Sequence, residues 1–290
     1  MQTMTALIPA RSKRQAMDWS LVLTSQEIEC VILPPSEEHP WALLIEPKDH
    51  ERALAAIHQY RLENRGWGWR AQLAETELTF QWSVVVWCFL MAIFYVLSMQ
   101  PASGLAALGR MDSVTVAAGQ WWRLFTAVLL HADVGHLMAN LSAGFLVLGL
   151  AMGRYGIGCA LLAAYLAGAG GNLTGLALYP EPYRGVGASG MVMGGLGLLA
   201  VQSLSLWRES PKAARYILSG VVAGVLLFVL LGLDPASDVV AHLGGFVFGL
   251  ALGGVLALVR HEIVRRAAIN LVCGATLGGL IIWTWWLALR

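Results

Sequence analysis

The sequence predicts an all-α polytopic membrane protein: a bundle of six transmembrane helices plus one carboxyl-terminal helix, preceded by a small α+β cytoplasmic domain. Of 290 residues, 57% are hydrophobic and 13% are charged, whereas soluble globular chains carry roughly 25% charged residues. Most of the acidic residues precede residue 82. The rest of the chain is therefore too apolar to form a water-exposed surface.

Charge and cysteine usage exclude several classes of partner. A net charge of +1 with no basic stripe gives no footprint for nucleic acid. The four cysteines are isolated and form neither a CxxC metal pair nor a disulfide framework: Cys30, Cys88, Cys159 and Cys273. We expect no metal, no cofactor and no nucleic acid. The first long apolar run starts near Trp82, which is too late and too long for a secretory signal.

The first 66 residues predict a small soluble accessory domain with the order ββ(β)α. Three short apolar runs are assigned to strands: Trp19–Leu23, Ile28–Leu33 and Trp41–Ile45. A helix follows, with Asp49 as its N-cap and Gly66 after its last turn. Residues 67–81 are then expected to form a linker at the inner membrane surface.

Seven apolar stretches approach the roughly 20 residues that a helix needs to cross a hydrocarbon layer about 30 Å thick. The predicted spans are Trp82–Met99, Ala132–Met152, Ile157–Tyr179, Gly187–Leu206, Tyr216–Leu233, Val239–Val259 and Ala267–Leu289. None of them contains Lys, Arg or Glu. Residues 82–259 are therefore expected to form a six-helix core, and residues 260–290 to add one more transmembrane helix.

Loop charges predict the orientation of these spans. Lys and Arg are concentrated before the first span and after the second, fourth and sixth spans. Cytoplasmic loops carry the excess of Lys and Arg in membrane proteins. We therefore expect the amino terminus inside and the carboxyl terminus outside. The start of the fourth and of the sixth span then lies near the outer face.

Polar residues inside spans are costly, so each is a functional hypothesis. Three histidines lie in or at the edges of the spans: His131, His136 and His242. Asn140 follows His136 by four residues, which puts both on one helix face. That pair fits a metal half-site, an interhelical hydrogen-bonded clasp or two donors aimed at an anion.

Ser189 lies near the start of the fourth span, after a loop that contains Pro and Gly. A serine between small residues is usually only packing in a membrane helix. At a helix start, however, unpaired amides and the positive end of the helix dipole point at any developing oxyanion. Its position therefore makes Ser189 a candidate for chemistry.

The sixth span carries His242 one turn before a repeat of glycines at intervals of four: Gly245, Gly249 and Gly253. Such a repeat predicts close contact with a neighbouring helix. Asp238 precedes His242 by four residues, and we expect it to cap the sixth helix rather than to pair with the histidine. Asp133 is expected to be an exposed residue at the loop edge.

In this order these pieces resemble the rhomboid intramembrane serine proteases. The pieces are GxSG at the fourth span, AHxxGxxxGxxxG on the sixth, His131, His136 and Asn140 at the second, and Trp122 with Arg123 in the first loop. The resemblance covers about residues 82–259. The helix after the core is similar to the six-plus-one arrangement of part of that family.

The resemblance implies a Ser-His dyad in which Ser189 is the nucleophile and His242 the general base. His136 and Asn140 would form the oxyanion hole together with a backbone amide near Ser189. The absence of a membrane-embedded acid from the sequence favours this dyad over a triad.

Further positions receive supporting roles from the resemblance. Gly187 and Gly190 would keep the backbone close to the scissile carbonyl, while Gly245 and Gly249 would let the sixth helix approach the fourth. His131 would hydrogen-bond the first loop, where Trp122 and Arg123 also match. Two departures stand out: Met193 replaces an aromatic residue that often packs on the catalytic histidine, and Met152 replaces an acid at the end of the second helix.

The expected function is cleavage of a peptide bond in or next to the transmembrane helix of a single-span or polytopic membrane protein. The expected setting is a bilayer, with a bacterial inner (cell) membrane favoured. The alternative is a catalytically silent rhomboid-like protein that binds transmembrane helices. A transporter or channel would need acids or broken helices at the midplane, which the sequence does not show.

Overall fold

The computed structural model describes residues 6–36, 39–63, 79–208, 213–233 and 237–290, apart from the side chains of Leu206 and Arg208. The chain divides into two compact units, Met1–Glu77 and Leu78–Arg290. The first unit contains a small sheet and two helices. The second is almost wholly helical. Each unit is described by itself below.

The amino-terminal unit has the order βαββα. Its elements are β1 (Ala6–Pro9), α1 (Lys13–Ser25), β2 (Cys30–Leu33), β3 (Ala42–Ile45) and α2 (His50–Glu63). The three strands are antiparallel in the order β1-β3-β2. Both helices share a core with the sheet, in which Leu23 and Leu43 are fully buried.

The prediction of a strand at Trp19–Leu23 is wrong, because this segment lies inside α1. Ser12 caps the helix by accepting a hydrogen bond from the amide of Gln15 at 3.2 Å. The buried residues of α1 are Ala16, Trp19 and Leu23, spaced three and four apart. That period is helical, whereas a strand would bury alternate residues.

The remaining elements of this unit differ from the expectation mainly in their bounds. Strand β1 was missed; it lies at the edge of the sheet, where Pro9 is tolerated because no ladder bond needs its nitrogen. β2 and β3 lie within two of the predicted runs. Asp49 ends a 3₁₀ turn just before α2, and its carboxylate binds Arg52 at 2.7 Å. Gly66 and residues 67–78 of the predicted linker lie outside the described residues.

The second unit contains a helix at each of the seven predicted spans. They are Val84–Ser98, Val134–Tyr155, Ile157–Leu178, Ser189–Ala200, Ala213–Gly232, Val239–Leu258 and Ala267–Ala288, named the first to seventh spans below. The second, third, fifth, sixth and seventh are long and apolar enough to cross a membrane, and the first and fourth are shorter apolar helices. The prediction of a helical membrane bundle is confirmed.

The third, fourth and sixth spans form the centre of the bundle. The fourth span packs against both the third and the sixth, which also contact each other, and glycines allow the close approach. A Cβ at Gly245 would collide with the carbonyl of Gly190, and one at Gly249 with the carbonyl of Gly194. The predicted glycine seam on the sixth span is therefore confirmed as a contact with the fourth. The fifth and seventh spans are peripheral and mostly exposed.

A structured loop joins the first and second spans. It includes short helices at Leu105–Gly109, Ser113–Ala117 and Arg123–Thr126 and a strand, β4, at Met111–Asp112. β4 pairs antiparallel with β5 (Arg184–Gly185), just ahead of the fourth span. Across this pair, Arg184 Nε donates to Asp112 Oδ2 at 2.9 Å. The first loop is thereby fastened to the segment that leads into Ser189.

Candidate active site

Ser189 is the first residue of the fourth span, which begins two residues after the predicted start at Gly187. Two residues earlier, Gly187 has a φ of +135°, which a residue with a side chain rarely adopts. The amide of Gly187 donates to the carbonyl of Ala127 in the first loop at 3.0 Å. The tight backbone before Ser189 therefore depends on a glycine and on an anchor in that loop.

His136 and Asn140 face this same backbone from the second span. A Cβ placed on Gly187 would lie 2.6 Å from His136 Nε2 and 3.6 Å from Asn140 Nδ2. Asn140 is buried, and its Nδ2 has no hydrogen-bond partner among the described residues. Two side chains that can donate hydrogen bonds therefore approach the start of the fourth span. One of these donors, Asn140 Nδ2, has no partner among the described residues.

Asp133 fixes the start of the second span. Its carboxylate accepts a hydrogen bond from the backbone amide of His136 at 2.8 Å and so caps the helix, although its side chain is exposed. The sequence indicated only an exposed loop edge here. The Asp-x-x-His spacing was the signal for a cap, since an N-cap side chain bonds the amide two or three residues on.

His242 lies buried in the first turn of the sixth span. The beginnings of the fourth and sixth spans are in contact, because a Cβ on Gly190 would lie 3.7 Å from the carbonyl of Ala241. His242 is also close enough to His136 for their charges to interact. Within the described part of the chain, Ser189 Oγ makes no hydrogen bond to His242, and such bonds are commonly long before substrate binds.

The ring of His242 is held by the fifth span. Its Nδ1 lies 2.9 Å from the carbonyl oxygen of Gly232 and 3.4 Å from the hydroxyl of Ser237. Sequence reasoning missed Gly232, because the group involved is a backbone carbonyl. No residue type encodes that contact.

Asp238 caps the sixth span, as predicted. Its Oδ1 accepts from the amide of Ala241 at 2.9 Å, and its Oδ2 accepts from the hydroxyl of Tyr183 at 2.5 Å. Burial, together with this bond to Asp238, raises the pKa of Tyr183 above its usual range, so the phenol remains a donor. The carboxylate is thus engaged away from the ring of His242.

The predicted hydrogen bond from His131 to the first loop stays a prediction, because a backbone group of Leu129 lies near the ring without meeting the geometry of a hydrogen bond. His131 is buried just ahead of the second span, and neither ring nitrogen has a partner among the described residues. Burial lowers its pKa to about 4, with the nearby His136 adding to the effect. The ring instead packs edge-on against His136, with centroids 5.3 Å apart. His131 therefore contacts His136, which is a candidate residue of the oxyanion hole.

Arg123 organises the first loop. Its guanidinium is buried and donates to the carbonyls of Ala107 and Arg110 at 3.0 and 2.8 Å, and to the side chain of Gln120 at 2.6 Å. Trp122 packs beside it against the main core. These two residues support the loop that anchors Gly187 and do not adjoin Ser189 in any described contact.

Three further loop contacts were not assigned from the sequence. Asn172 donates to the carbonyl of Leu124 at 2.7 Å, and Thr126 donates to that of Gly109 at 2.7 Å. Tyr165 donates to the carbonyl of Phe125 at 3.1 Å. All three side chains donate to backbone carbonyls, and a pattern of residue types in the sequence does not predict such contacts.

Both methionines at the departures from the family pattern are buried. Met193 Sδ lies near the end of the fifth span, 3.4 Å from where a Cβ on Gly232 would stand. Met152 belongs to the main core. Among the described residues, no group of three or more His, Cys, Asp or Glu is arranged to hold a metal.

Residues 118–259 match the model of the rhomboid domain, a range that includes the serine, both site histidines and Asn140. The chain carries a rhomboid domain over these residues. This rhomboid is similar to several curated relatives. Rhomboid protease GluP of Bacillus subtilis is 32% identical over 155 residues, which cover 51% of this chain and 29% of that protein.

Two other relatives are similar to about half of this chain. RHOMBOID-like protein 1 of Arabidopsis thaliana is 31% identical over 156 residues, covering 53% of this rhomboid and 39% of the plant protein. Rhomboid protease AarA of Providencia stuartii is 28% identical over 186 residues, covering 56% and 66%. The matches thus span less than two thirds of these relatives, and they support an integral, multi-pass membrane protein.

Proposed function

We propose that this rhomboid is an intramembrane serine endopeptidase that uses Ser189 as nucleophile and His242 as general base. The observation that carries the proposal is the convergence at Gly187. The side chains of His136 and Asn140 approach the backbone two residues before Ser189, at a helix start whose amides are unpaired. The fourth and sixth spans touch beside Ser189 and His242.

The chemistry follows from this arrangement. Ser189 Oγ attacks the scissile carbonyl while His242 takes its proton, and the developing oxyanion accepts hydrogen bonds from Asn140 Nδ2, His136 and a backbone amide. The imidazolium then returns the proton to the leaving amine. Water hydrolyses the acyl-enzyme by the same steps, and no carboxylate takes part.

The short fourth span supports cleavage below the membrane surface. Twelve residues from Ser189 to Ala200 make an α-helix of about 18 Å, less than the hydrocarbon thickness of about 30 Å. 3₁₀ turns at Gln202–Arg208 continue it on the opposite side. We infer that Ser189 lies beneath the outer surface, with the amino terminus of the protein in the cytoplasm of a bacterial cell.

The substrate is then a single-span or polytopic membrane protein, cut in or next to a transmembrane helix. A regular helix satisfies its own carbonyls by intrahelical hydrogen bonds, so attack needs a segment that unwinds readily. Candidates for lateral entry are the fifth span and the segment from Gly171 to Tyr183. We further propose that residues 1–66 form an accessory domain that catalysis does not require.

A cleavage assay tests the proposal. The purified protein is incubated in detergent with a labelled single-span substrate, beside the Ser189→Ala and His242→Ala variants. We expect cleavage by the wild type alone, together with labelling by a fluorophosphonate probe that both substitutions abolish. Equal cleavage by wild type and Ser189→Ala would overturn the assignment. Retention of substrate binding without cleavage or labelling would instead favour a silent rhomboid-like protein that holds transmembrane helices.

A further inference from the structure

His242 is a buried base that needs a counter-charge. Once it accepts the proton of Ser189 it becomes an imidazolium, and a buried charge is costly unless it is compensated. Asp238, the described acid closest to His242 in sequence, already accepts hydrogen bonds from Ala241 and Tyr183. His136, on the second span, would add only like charge. Among the described residues, no carboxylate makes a hydrogen bond to the ring of His242.

The fifth span ends where that compensation is needed. Its last residue, Gly232, presents a carbonyl oxygen 2.9 Å from His242 Nδ1, and the contact is buried. The last four carbonyls of a helix lack intrahelical partners, and this end carries about half a negative charge. A protonated histidine is stabilised at such a helix end, because its positive charge is close to the negative end of the helix dipole.

The contact with the Gly232 carbonyl also determines which ring nitrogen of neutral His242 carries the proton. A carbonyl oxygen only accepts, so the nitrogen facing it must be the one that carries hydrogen. Nδ1 is therefore the N–H, and Nε2 keeps the lone pair that a general base requires. The hydroxyl of Ser237, 3.4 Å from the same nitrogen, is the weaker contact.

Building on the proposed function, we propose that the main-chain carbonyl of Gly232 is the positioning group of the catalytic base. It fixes the Nδ1–H tautomer of His242 and stabilises the imidazolium, the two tasks that a carboxylate performs in a Ser-His-Asp triad. The end of the fifth span thereby takes the place of the missing acid.

The tautomer is tested without any substrate. The protein is labelled with ¹⁵N-histidine, and the His242 resonances are assigned by comparison with His242→Gln. At neutral pH we expect a protonated Nδ1 and an unprotonated Nε2. An Nε2–H tautomer would overturn the proposal, whatever the protein cleaves.

The stabilisation is tested by replacing one amide with an ester. Substitution of Leu233 by its α-hydroxy acid turns the Gly232 carbonyl into an ester carbonyl, a weaker acceptor, and leaves the side chain unchanged. The same substitution at Leu231 is the matched control, since it weakens the carbonyl of Leu230 in the same turn. We expect kcat to fall about 3- to 10-fold for the Leu233 ester with KM unchanged, and little change for the control.

The pH profile separates positioning from damage to the fold. A weaker acceptor stabilises the imidazolium less, so the acid limb of the kcat profile should move to lower pH in the Leu233 ester. A fall in kcat with no movement of that limb would contradict the proposal. Asp234 follows Gly232 by two residues in sequence and lies outside the described residues, so Asp234→Asn is a second variant to test. An equal or larger shift of the acid limb in Asp234→Asn would assign the counter-charge to a carboxylate instead.

The two proposals fail separately. Cleavage that survives Ser189→Ala removes the protease assignment and leaves the tautomer result standing. Loss of cleavage in Ser189→Ala and His242→Ala, with an unchanged Leu233 ester, keeps the dyad and removes the role of Gly232.

Discussion

Asn140 illustrates at the residue scale how function and stability are opposed. Its side-chain amide is buried beside Gly187, and its Nδ2 has no partner among the described residues. An unsatisfied buried donor costs about 1–3 kcal/mol of stability. A donor kept free is what a developing oxyanion requires.

Asn140→Leu should therefore lower activity while leaving the fold as stable as before or more stable. We expect kcat to fall about 10²- to 10³-fold, the usual effect of losing one oxyanion-hole donor. The free energy of unfolding should not decrease, because a buried unpaired amide is replaced by an apolar side chain. Cleavage kinetics and unfolding in the same detergent measure both quantities.

Asn172→Leu is the matched control, since its amide is also buried in a span but donates to the carbonyl of Leu124 at 2.7 Å. This change leaves an acceptor unpaired and should destabilise the protein by about 1–3 kcal/mol. If Asn140→Leu were the more destabilising of the two, Asn140 would be a structural residue and its assignment to the oxyanion hole would fail.

Some features of individual site residues could be predicted from the sequence, and others could not. The four-residue spacing of His136 and Asn140 placed them on one helix face, and both do adjoin Gly187. The carbonyls of Gly232 and Ala127 could not be predicted, because every residue has such an atom. Which carbonyl meets a histidine or an amide depends on where a helix ends and how a loop returns.

At the scale of elements, the contact between the fourth and sixth spans sets the geometry of the site. Gly249 faces the backbone of Gly194, so any side chain there must push the two helices apart. Gly278, on the peripheral seventh span, has nothing within 4 Å of an added Cβ. The two glycines thus separate the effect of close packing from the intrinsic effect of glycine in a helix.

Gly249→Ala should destabilise the protein by about 1–3 kcal/mol, the usual cost of overpacking a tight contact. Gly278→Ala should be neutral or stabilising by up to about 1 kcal/mol, because alanine is the better helix former. Unfolding of both variants in one detergent gives the comparison. A Gly249→Ala protein as stable as Gly278→Ala would contradict close helix packing at this seam.

The accuracy with which helices and strands were predicted from the sequence depended on the length of their hydrophobic pattern. Long apolar runs located all seven spans to within a few residues of their bounds, except the fourth, which becomes a 3₁₀ helix after Ala200. The segment Trp19–Leu23 failed because five residues are too few to distinguish a strand from one side of a helix. The capping residue Ser12 and the wider spacing from Ala16 decide for the helix.

At the scale of the whole molecule, the membrane unit makes its own contacts from the segment that precedes the first span. Thr79 donates to the carbonyl of Gly153 at 3.0 Å, and the amide of Gln81 donates to the carbonyl of Gly149 at 3.0 Å. Phe80 packs against the main core. These contacts begin at the first described residue of the unit.

Removal of residues 1–70 should therefore leave cleavage within about 2-fold of the full chain, because every described contact of the site lies beyond Thr79. Activity in detergent and the unfolding midpoint are measured for both proteins. A second truncation that also removes residues 71–81 should lose stability, since it deletes the contacts to Gly149 and Gly153. Loss of cleavage on removing residues 1–70 alone would assign the amino-terminal unit to catalysis.

Orientation in the membrane determines which face the site opens to, and loop charge predicts it. Two exposed acidic residues lie in loops at opposite ends of the spans. Glu181 lies between the third and fourth spans, close to the start of the fourth. Glu262 lies beyond the end of the sixth span, among Arg260, Arg265 and Arg266. Because basic loops stay in the cytoplasm, the Glu262 loop should be inside and the Glu181 loop outside.

A membrane-impermeant maleimide tests this orientation in intact cells. The native cysteines are replaced, and Glu181→Cys and Glu262→Cys are compared before and after lysis. We expect Glu181→Cys to be labelled in intact cells and Glu262→Cys only after lysis. The reverse pattern would place the starts of the fourth and sixth spans at the inner face. Ser189 and His242 would then act on the cytoplasmic side of their substrates, whatever the chemistry of the site.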